Sequence, residues 1–527
     1  MGTRPAVDGC GKAYEKILSQ SGQFGFFQKR LFLISGVLQA FTTSVIACTP
    51  LIVRQGDHTT DCQTTGADDG LYWTNHSTDL NDLGTDNTTS FAQEERCKIM
   101  TQETVMGLDL PQWFMQSNDE PMSFMIVCIQ ALSVILGTLI GGFLADHLGR
   151  RRIFFASFGL MAAAQCLSTV SDYWQLFLGL RCLSLSSAGC FLVTSLVLPQ
   201  EYTGLFWRDV CACLSLWPIG MIILACEAYL IKQWHLLVVA NGSACLPFLG
   251  TFFIIPESPR WFLAIGKFTD SEAAVKEMIS CNARTVTDVT SLFDRMQRTV
   301  MKFTHPRRHT YIDLFRTRAF AKSSFVLAFM WLVCSTVYTG LYDKVSVLTG
   351  NSYLNMFLPF LIDVPIISSA VIINKCVGRR WTIFLYATSS GFVLICVLLL
   401  HVTSNLTMVG ELITGLALFG KLGVASALCL ICLMTLEIYP TVMRSMGCAL
   451  GLSFGVIGTV VAPQISQLTS GHYTTSFVTF GLMMILIGFA VLALPETSNK
   501  PLSDINYCRH RIIQTQPVRY LNAWNVT

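Results

Sequence analysis

The chain has 527 residues, 52% of them hydrophobic and only 13% charged. Soluble proteins carry nearer ~25% charged residues, and here the apolar residues lie in long blocks, which excludes a soluble globular domain and gives an all-α membrane protein embedded in a lipid bilayer. The net charge of +3 gives no basis for a nucleic-acid partner. No Cys/His metal spacing, Gly-rich phosphate loop or G-x-S-x-G occurs, so no metal, cofactor or enzymatic activity is expected.

Residues 1–30 are polar and mixed, with no cleavable signal pattern, and read as a cytoplasmic N-terminus. They end in Gly22-Gln23-Phe24-Gly25-Phe26-Phe27-Gln28-Lys29-Arg30, whose aromatics suit a membrane interface. The first span is expected at Leu31–Val53. Residues 54–121 are polar and acidic, with sequons at Asn75 and Asn87, and read as an extracellular, glycosylated loop. Cys62 and Cys97 are the loop's cysteines, and one disulfide between them is expected. Most of the other cysteines lie inside apolar runs and behave as small hydrophobes.

Spans two to six are expected at Met122–Leu144, Ile153–Val170, Gln175–Leu198, Val210–Ile231 and Leu236–Ile255, closing an N-terminal half over residues 31–255. Residues 256–321 are strongly basic and read as a cytoplasmic linker, with helical spacing at Asp270–Cys281 and Asp288–Val300. Six further spans are expected within residues 322–494, followed by a cytoplasmic tail at 495–527. Twelve spans with both termini inside make a self-consistent topology.

The hairpin after span two is Gly141-Gly142-Phe143-Leu144-Ala145-Asp146-His147-Leu148-Gly149-Arg150-Arg151-Arg152. Its arginines place it on the cytoplasmic side. Asp146 suits pairing with Arg150 and Arg151, or capping a neighbouring helix N-terminus. A degenerate copy recurs at Asn374-Lys375-Cys376-Val377-Gly378-Arg379-Arg380, with Asn374 read as replacing the acid. The spacing G-x-x-x-D-x-x-G-R-R, repeated in two halves, resembles the loop between helices two and three of major facilitator transporters.

More of the chain resembles solute carrier family 22, the organic cation, anion and zwitterion transporters. The match rests on Gly22–Gln28, the large loop after span one, Pro256-Glu257-Ser258-Pro259-Arg260-Trp261, Glu437-Ile438-Tyr439-Pro440-Thr441 with Arg444, and Pro495-Glu496-Thr497. Arg181, Gly189, Glu201 and Arg208 fit it as well. The resemblance implies a plasma-membrane secondary transporter of small organic ions, carnitine-like zwitterions included, working by alternating-access uniport or exchange. It implies a gate built from Asp146, Arg150, Arg151, Gly378, Arg379, Glu437 and Arg444. Two positions that carry selecting charges in the family are apolar here, Ile367 and Val456. A receptor or scaffold that has lost transport is therefore the rival reading. A sugar porter ranks lower, because Phe325–Asp343 lacks Q-Q-x-x-G-x-N.

Ionisable groups inside spans default to functional hypotheses. Asp363 and Lys421 lie at similar depth in spans eight and ten, and are expected to pair as a strut or a gate. Arg181 reads as structural, and Glu227 as a group facing water or drawing a cation. The expected pocket is aromatic and polar: Trp217, Phe325, Trp331, Tyr338, Tyr342, Met356, Phe360 and Phe419, with Lys421 as the charge. The oligomeric state has no signature in the sequence.

Overall fold

A computed structural model describes residues 14–48, 120–171, 173–214, 216–231, 233–284, 289–301, 309–345, 352–403, 409–468 and 473–502. The sequons Asn75 and Asn87, the cysteines Cys62 and Cys97 and the side chain of Met356 lie outside them.

The apolar blocks fold as long helices, since a helix satisfies its own backbone polar groups where water is absent. In the N-terminal half they are α1 (Phe26–Cys48), α2 (Glu120–Leu148), α3 (Arg150–Ser168), α4 (Trp174–Tyr202), α5 (Trp217–Leu230) and α6 (Trp234–Cys245). In the C-terminal half they are α7 (Arg318–Val345), α8 (Ser352–Val377), α9 (Arg379–Thr403), α10 (Val409–Ile438), α11 (Arg444–Leu468) and α12 (Tyr473–Val491). Among the described residues, ten helical stretches are long and apolar enough to cross a membrane. The other two are α3, which opens on three arginines, and α12, whose apolar helix Thr475–Val491 is shorter.

Several boundaries differ from expectation. α3 begins at Arg150 rather than Ile153, because Gly149 alone separates it from α2. The fifth span is split into Arg208–Cys213 and α5, and the sixth continues into a 3-10 turn at Leu246–Phe253. The linker forms helices Pro259–Ala264, Phe268–Cys281 and Val289–Met301. The last two bury Val275, Met278, Phe293 and Met296 in one cluster with Tyr14, Ile17 and Leu18 of a helix at residues 14–21. Linker and N-terminal helix thus form a collar on the N-terminal half.

Both Gly-Arg-Arg hairpins lie at one end of the bundle, here called the hairpin end. Gly149 has φ 114° and Gly378 φ 95°. That region is closed to most L-residues, so each hairpin needs its glycine. The halves meet along α2 and α11, where Gly142 lies against Ala449 and the hydroxyls of Thr138 and Ser453 are 2.8 Å apart. They meet again where Phe357 of α8 packs on the α5 cluster of Leu224, Ala225 and Ala228.

Candidate functional site

Two groups of charged residues stand out, one at the hairpin end and one inside the C-terminal half. The first is a latch between the halves. Asp146, near the end of α2, accepts the backbone N–H groups of Ser445 at 3.4 Å and Met446 at 3.0 Å. These are the first-turn donors of α11, so the carboxylate caps a helix of the opposite half. Asp146 also sits 2.9 Å from Arg150 Nη2. Arg150 donates to the Thr441 carbonyl at 2.6 Å and lies 3.4 Å from Glu201. Glu201 is 3.0 Å from Arg444 across the interface.

The second hairpin makes its own latch. Arg379 Nη2 is 2.5 Å from Asp209 of the N-terminal half and 3.2 Å from Glu437. Counting back from the shared glycine, the residue at the place of Asp146 is Lys375, which corrects the assignment of that place to Asn374. Lys375 Nζ stands 4.0 Å from the ring centroid of Phe206 and 5.2 Å from that of Trp207, both in the opposite half. Trp207 stacks on Phe24 at 4.9 Å.

Each hairpin has a carboxylate that fixes the turn. Glu257 accepts the N–H groups of Arg150 at 2.8 Å and Arg151 at 3.0 Å. Glu496 accepts those of Arg379 and Arg380, each at 3.1 Å. Burial pushes the Glu257 carboxyl above its usual range, against the pull of the N–H groups of Arg151, Ser258 and Arg150. Neither glutamate has an expected role on sequence grounds. The signal is nonetheless there: a Pro-Glu pair follows the last span of each half.

Arg151 does not join the gate expected of it. Its guanidinium donates to the Phe252 carbonyl at 2.8 Å and covers the Phe252 ring, within its own half. An unforeseen partner is Glu15, held between Arg208 and Arg260, the latter at 2.5 Å. Arg208 also reaches the Lys500 carbonyl at 3.3 Å. Arg181 is buried in the N-terminal half, where it donates to Gln165 and to the Val45 carbonyl. Two thiols lie beside the latches, Cys448 near Asp146 and Cys213 near Asp209, both fully buried.

The second group is the intramembrane pair. Lys421 Nζ is 2.6 Å from Asp363 Oδ2, with no exposure of either side chain. The Tyr338 hydroxyl donates to the same oxygen at 2.8 Å, and Lys421 donates to the Pro359 carbonyl at 3.0 Å. The ammonium lies 4.8 Å from the Tyr338 ring and 5.2 Å from the Phe360 ring. Tyr342 packs on Phe360 at 5.1 Å. Asp363 Oδ1 is buried without a hydrogen-bond partner. A buried pair of this kind needs supporting hydrogen bonds and ring faces to offset its desolvation.

The other expected pocket residues are not gathered there. Trp331 is core: its Nε1 donates to Thr435 at 3.0 Å and its ring lies against Gly451 and Gly455. Phe325 is 67% exposed and packs on Phe315 near the hairpin end, and Phe419 is 56% exposed on α10. Trp217 is half-buried at the start of α5. Ile367 is buried in the C-terminal core.

The family described as "Sugar (and other) transporter" matches residues 74–508. "Solute carrier family 22 member 15-like" of Xenopus laevis is 30% identical over 386 residues, covering 70% of this chain and 75% of that one. "Organic cation/carnitine transporter 2" of Homo sapiens is 26% identical over 407 residues, covering 77% and 72%. "Beta-alanine transporter" of Drosophila melanogaster is 28% identical over 377 residues, covering 70% and 61%. Among solved structures, the proton:xylose symporter XylE bound to 6-bromo-6-deoxy-D-glucose superimposes with a TM-score of 0.62 at 15% identity, covering 91% of this chain and 97% of that one. A human organic anion transporter gives 0.54 at 14% identity, covering 88% and 99%. Those two structures share the fold. By the extent of the family match and the relative at 30% identity, the chain belongs to solute carrier family 22 of the major facilitator superfamily, a family of membrane transporters and not of enzymes.

Proposed function

We propose that the chain is a plasma-membrane secondary transporter of small zwitterions, working by alternating access. The supporting observation is the Asp363–Lys421 pair with its aromatic surround. A substrate carrying one carboxylate and one ammonium can exchange charges with such a pair, its carboxylate going to Lys421 and its ammonium to the unpartnered Asp363 Oδ1 and the faces of Tyr338 and Phe360. Tyr342 packs behind Phe360 as part of the same wall. Carnitine and β-alanine, named in two relatives, both have this charge pattern.

The hairpin end is cytoplasmic in this reading, because the arginines and the basic linker gather there. Residues 54–121 are then extracellular, with glycans at Asn75 and Asn87 and a disulfide between Cys62 and Cys97. The hairpin latches close the cytoplasmic side, and their opening alternates with opening of the other end.

Uptake of labelled carnitine and β-alanine, set against a singly charged organic cation and anion, tests this in cells with surface protein measured in parallel. Saturable uptake of a zwitterion is expected. Uptake confined to singly charged compounds overturns the zwitterion reading. No uptake of any of them, with full surface delivery, favours a receptor or scaffold. Lys421→Gln and Asp363→Asn each leave a buried orphan charge, a loss of ~3–5 kcal/mol that lowers expression. The double variant regains expression, and zwitterion uptake stays low.

A further inference from the structure

A second ionisable group inside the membrane belongs to neither the latches nor the pair. Glu227 lies on α5 close to the end opposite the hairpins. Its Oε2 is buried without a hydrogen-bond partner. The Ser44 hydroxyl of α1 is within hydrogen-bonding reach of the carboxylate. Ser44 Oγ also accepts from Asn241 Nδ2 of α6 at 2.5 Å. Asn241 is fully buried, and its Oδ1 has no partner either. Three helices therefore bring together a carboxylate, a hydroxyl and an amide, and leave two buried acceptors, Glu227 Oε2 and Asn241 Oδ1, without a donor.

No cationic side chain among the described residues supplies what is missing. Arg181 of α4 gives one Nη to Gln165 and the other to the Val45 carbonyl. The thiols Cys48 of α1 and Cys245 of α6 are among the titratable groups that feel this carboxylate. The neighbour from α8 is Phe357, which is apolar. Holding one carboxylate oxygen out of water with no partner is costly. The donor set contains oxygen only, which suits a hard monovalent cation or a proton and not a soft metal.

We propose that Glu227, Ser44 and Asn241 form a site for one monovalent positive charge, a proton or a sodium ion. Leu224 and Ala228, on the same helix as Glu227, belong to the cluster on which Phe357 of α8 packs. Asp363 is six residues further along α8. Loading and unloading the site therefore acts on the contact between the halves and on the helix that carries the pair. Coupling of this charge to transport rests on the transporter reading above, whereas the test uses binding alone.

The test is the melting temperature of the purified chain in sodium chloride or N-methylglucamine chloride, each at mildly acidic and mildly alkaline pH. If sodium is the ligand, it stabilises the wild type saturably, Asn241→Ala needs ~10-fold more sodium for the same shift, and Glu227→Gln shows no sodium-specific shift. If the proton is the ligand, the sodium-free wild type loses stability towards alkaline pH, Glu227→Gln does not, and sodium has no effect. Parallel responses of wild type and both variants in every buffer overturn the proposal. Should Glu227→Gln fail to fold, binding of radioactive sodium to wild type and Ser44→Ala, in competition with protons, distinguishes the same outcomes. Binding that is non-saturable, or equal in both and insensitive to pH, overturns it.

Discussion

The two hairpins turn identically and hold the opposite half by different means. Each has a glycine at positive φ and a glutamate accepting the next two N–H groups. Beyond that the charges are reversed. The first hairpin presents an acid, Asp146, to the N-terminus of α11. The second presents a base, Lys375, to the rings of Phe206 and Trp207, and its acid, Asp209, comes from the other half. A carboxylate on a helix end acts through backbone N–H groups and needs the helix in register. An ion pair between long side chains tolerates more displacement. The Asp146 contact is therefore the more exacting of the two, and the Arg379–Asp209 pair the more forgiving.

The strongest way to break this contrast is Asp146→Asn. It removes one partner of a buried pair and the charge on the α11 cap, so a loss of ~3–5 kcal/mol from the closed state is expected. Cys448, fully buried beside Asp146, should then react with a permeant maleimide many times faster than in the wild type. Unchanged labelling at Cys448 would mean that the arginines set topology only. Asp209→Asn should have a smaller effect, about 2 kcal/mol, since Arg379 keeps Glu437. Its reporter is Cys213, and equal labelling rates in the two variants would erase the asymmetry.

The glycines sharpen the comparison further. Alanine at either position meets the left-handed penalty of ~1–2 kcal/mol. At Gly149 the added methyl would also lie 2.5 Å from Glu257 Oε2, against 3.3 Å from Glu496 at Gly378. Gly149→Ala should thus lower the melting temperature more than Gly378→Ala. The smallest effect is expected for Lys375→Ala. Its ammonium is at an exposed site, where a cation–π contact is worth about 0.5–1 kcal/mol, and a slight rise in Cys213 labelling is the expected result.

The spans and both hairpins are legible in the sequence because apolar length and Gly-Arg-Arg are local signals. The Asp363–Lys421 juxtaposition is legible because charge inside an apolar run is rare. The aromatic lining is legible only in part, through Tyr338, Tyr342 and Phe360, since these helices are apolar on every side and periodicity does not tell which face looks inward. Phe325 and Phe419 share only their residue type with the pocket around Tyr338, and they lie apart from it. Lys375 escapes notice because the second hairpin has one more residue before its glycine than the spacing from Asn374 suggests. Glu257, Glu496 and Glu15 act on partners more than a hundred residues away in the chain, with no local pattern to join them.

Arg208 has a further consequence. It is touched by residue 15 near one terminus and by the carbonyl of residue 500 near the other. Glu15 is bound on its far side to Arg260, also of the N-terminal half, so the first helix travels with that half as a single body. Lys500 follows α12, in the other half. On the alternating-access reading proposed above, the segments around residues 15 and 500 are opposite jaws of one hinge, joined in this structure through a single guanidinium. A donor and acceptor dye placed near residues 15 and 500 would convert each cycle of the carrier into an optical signal, with no label inside the membrane.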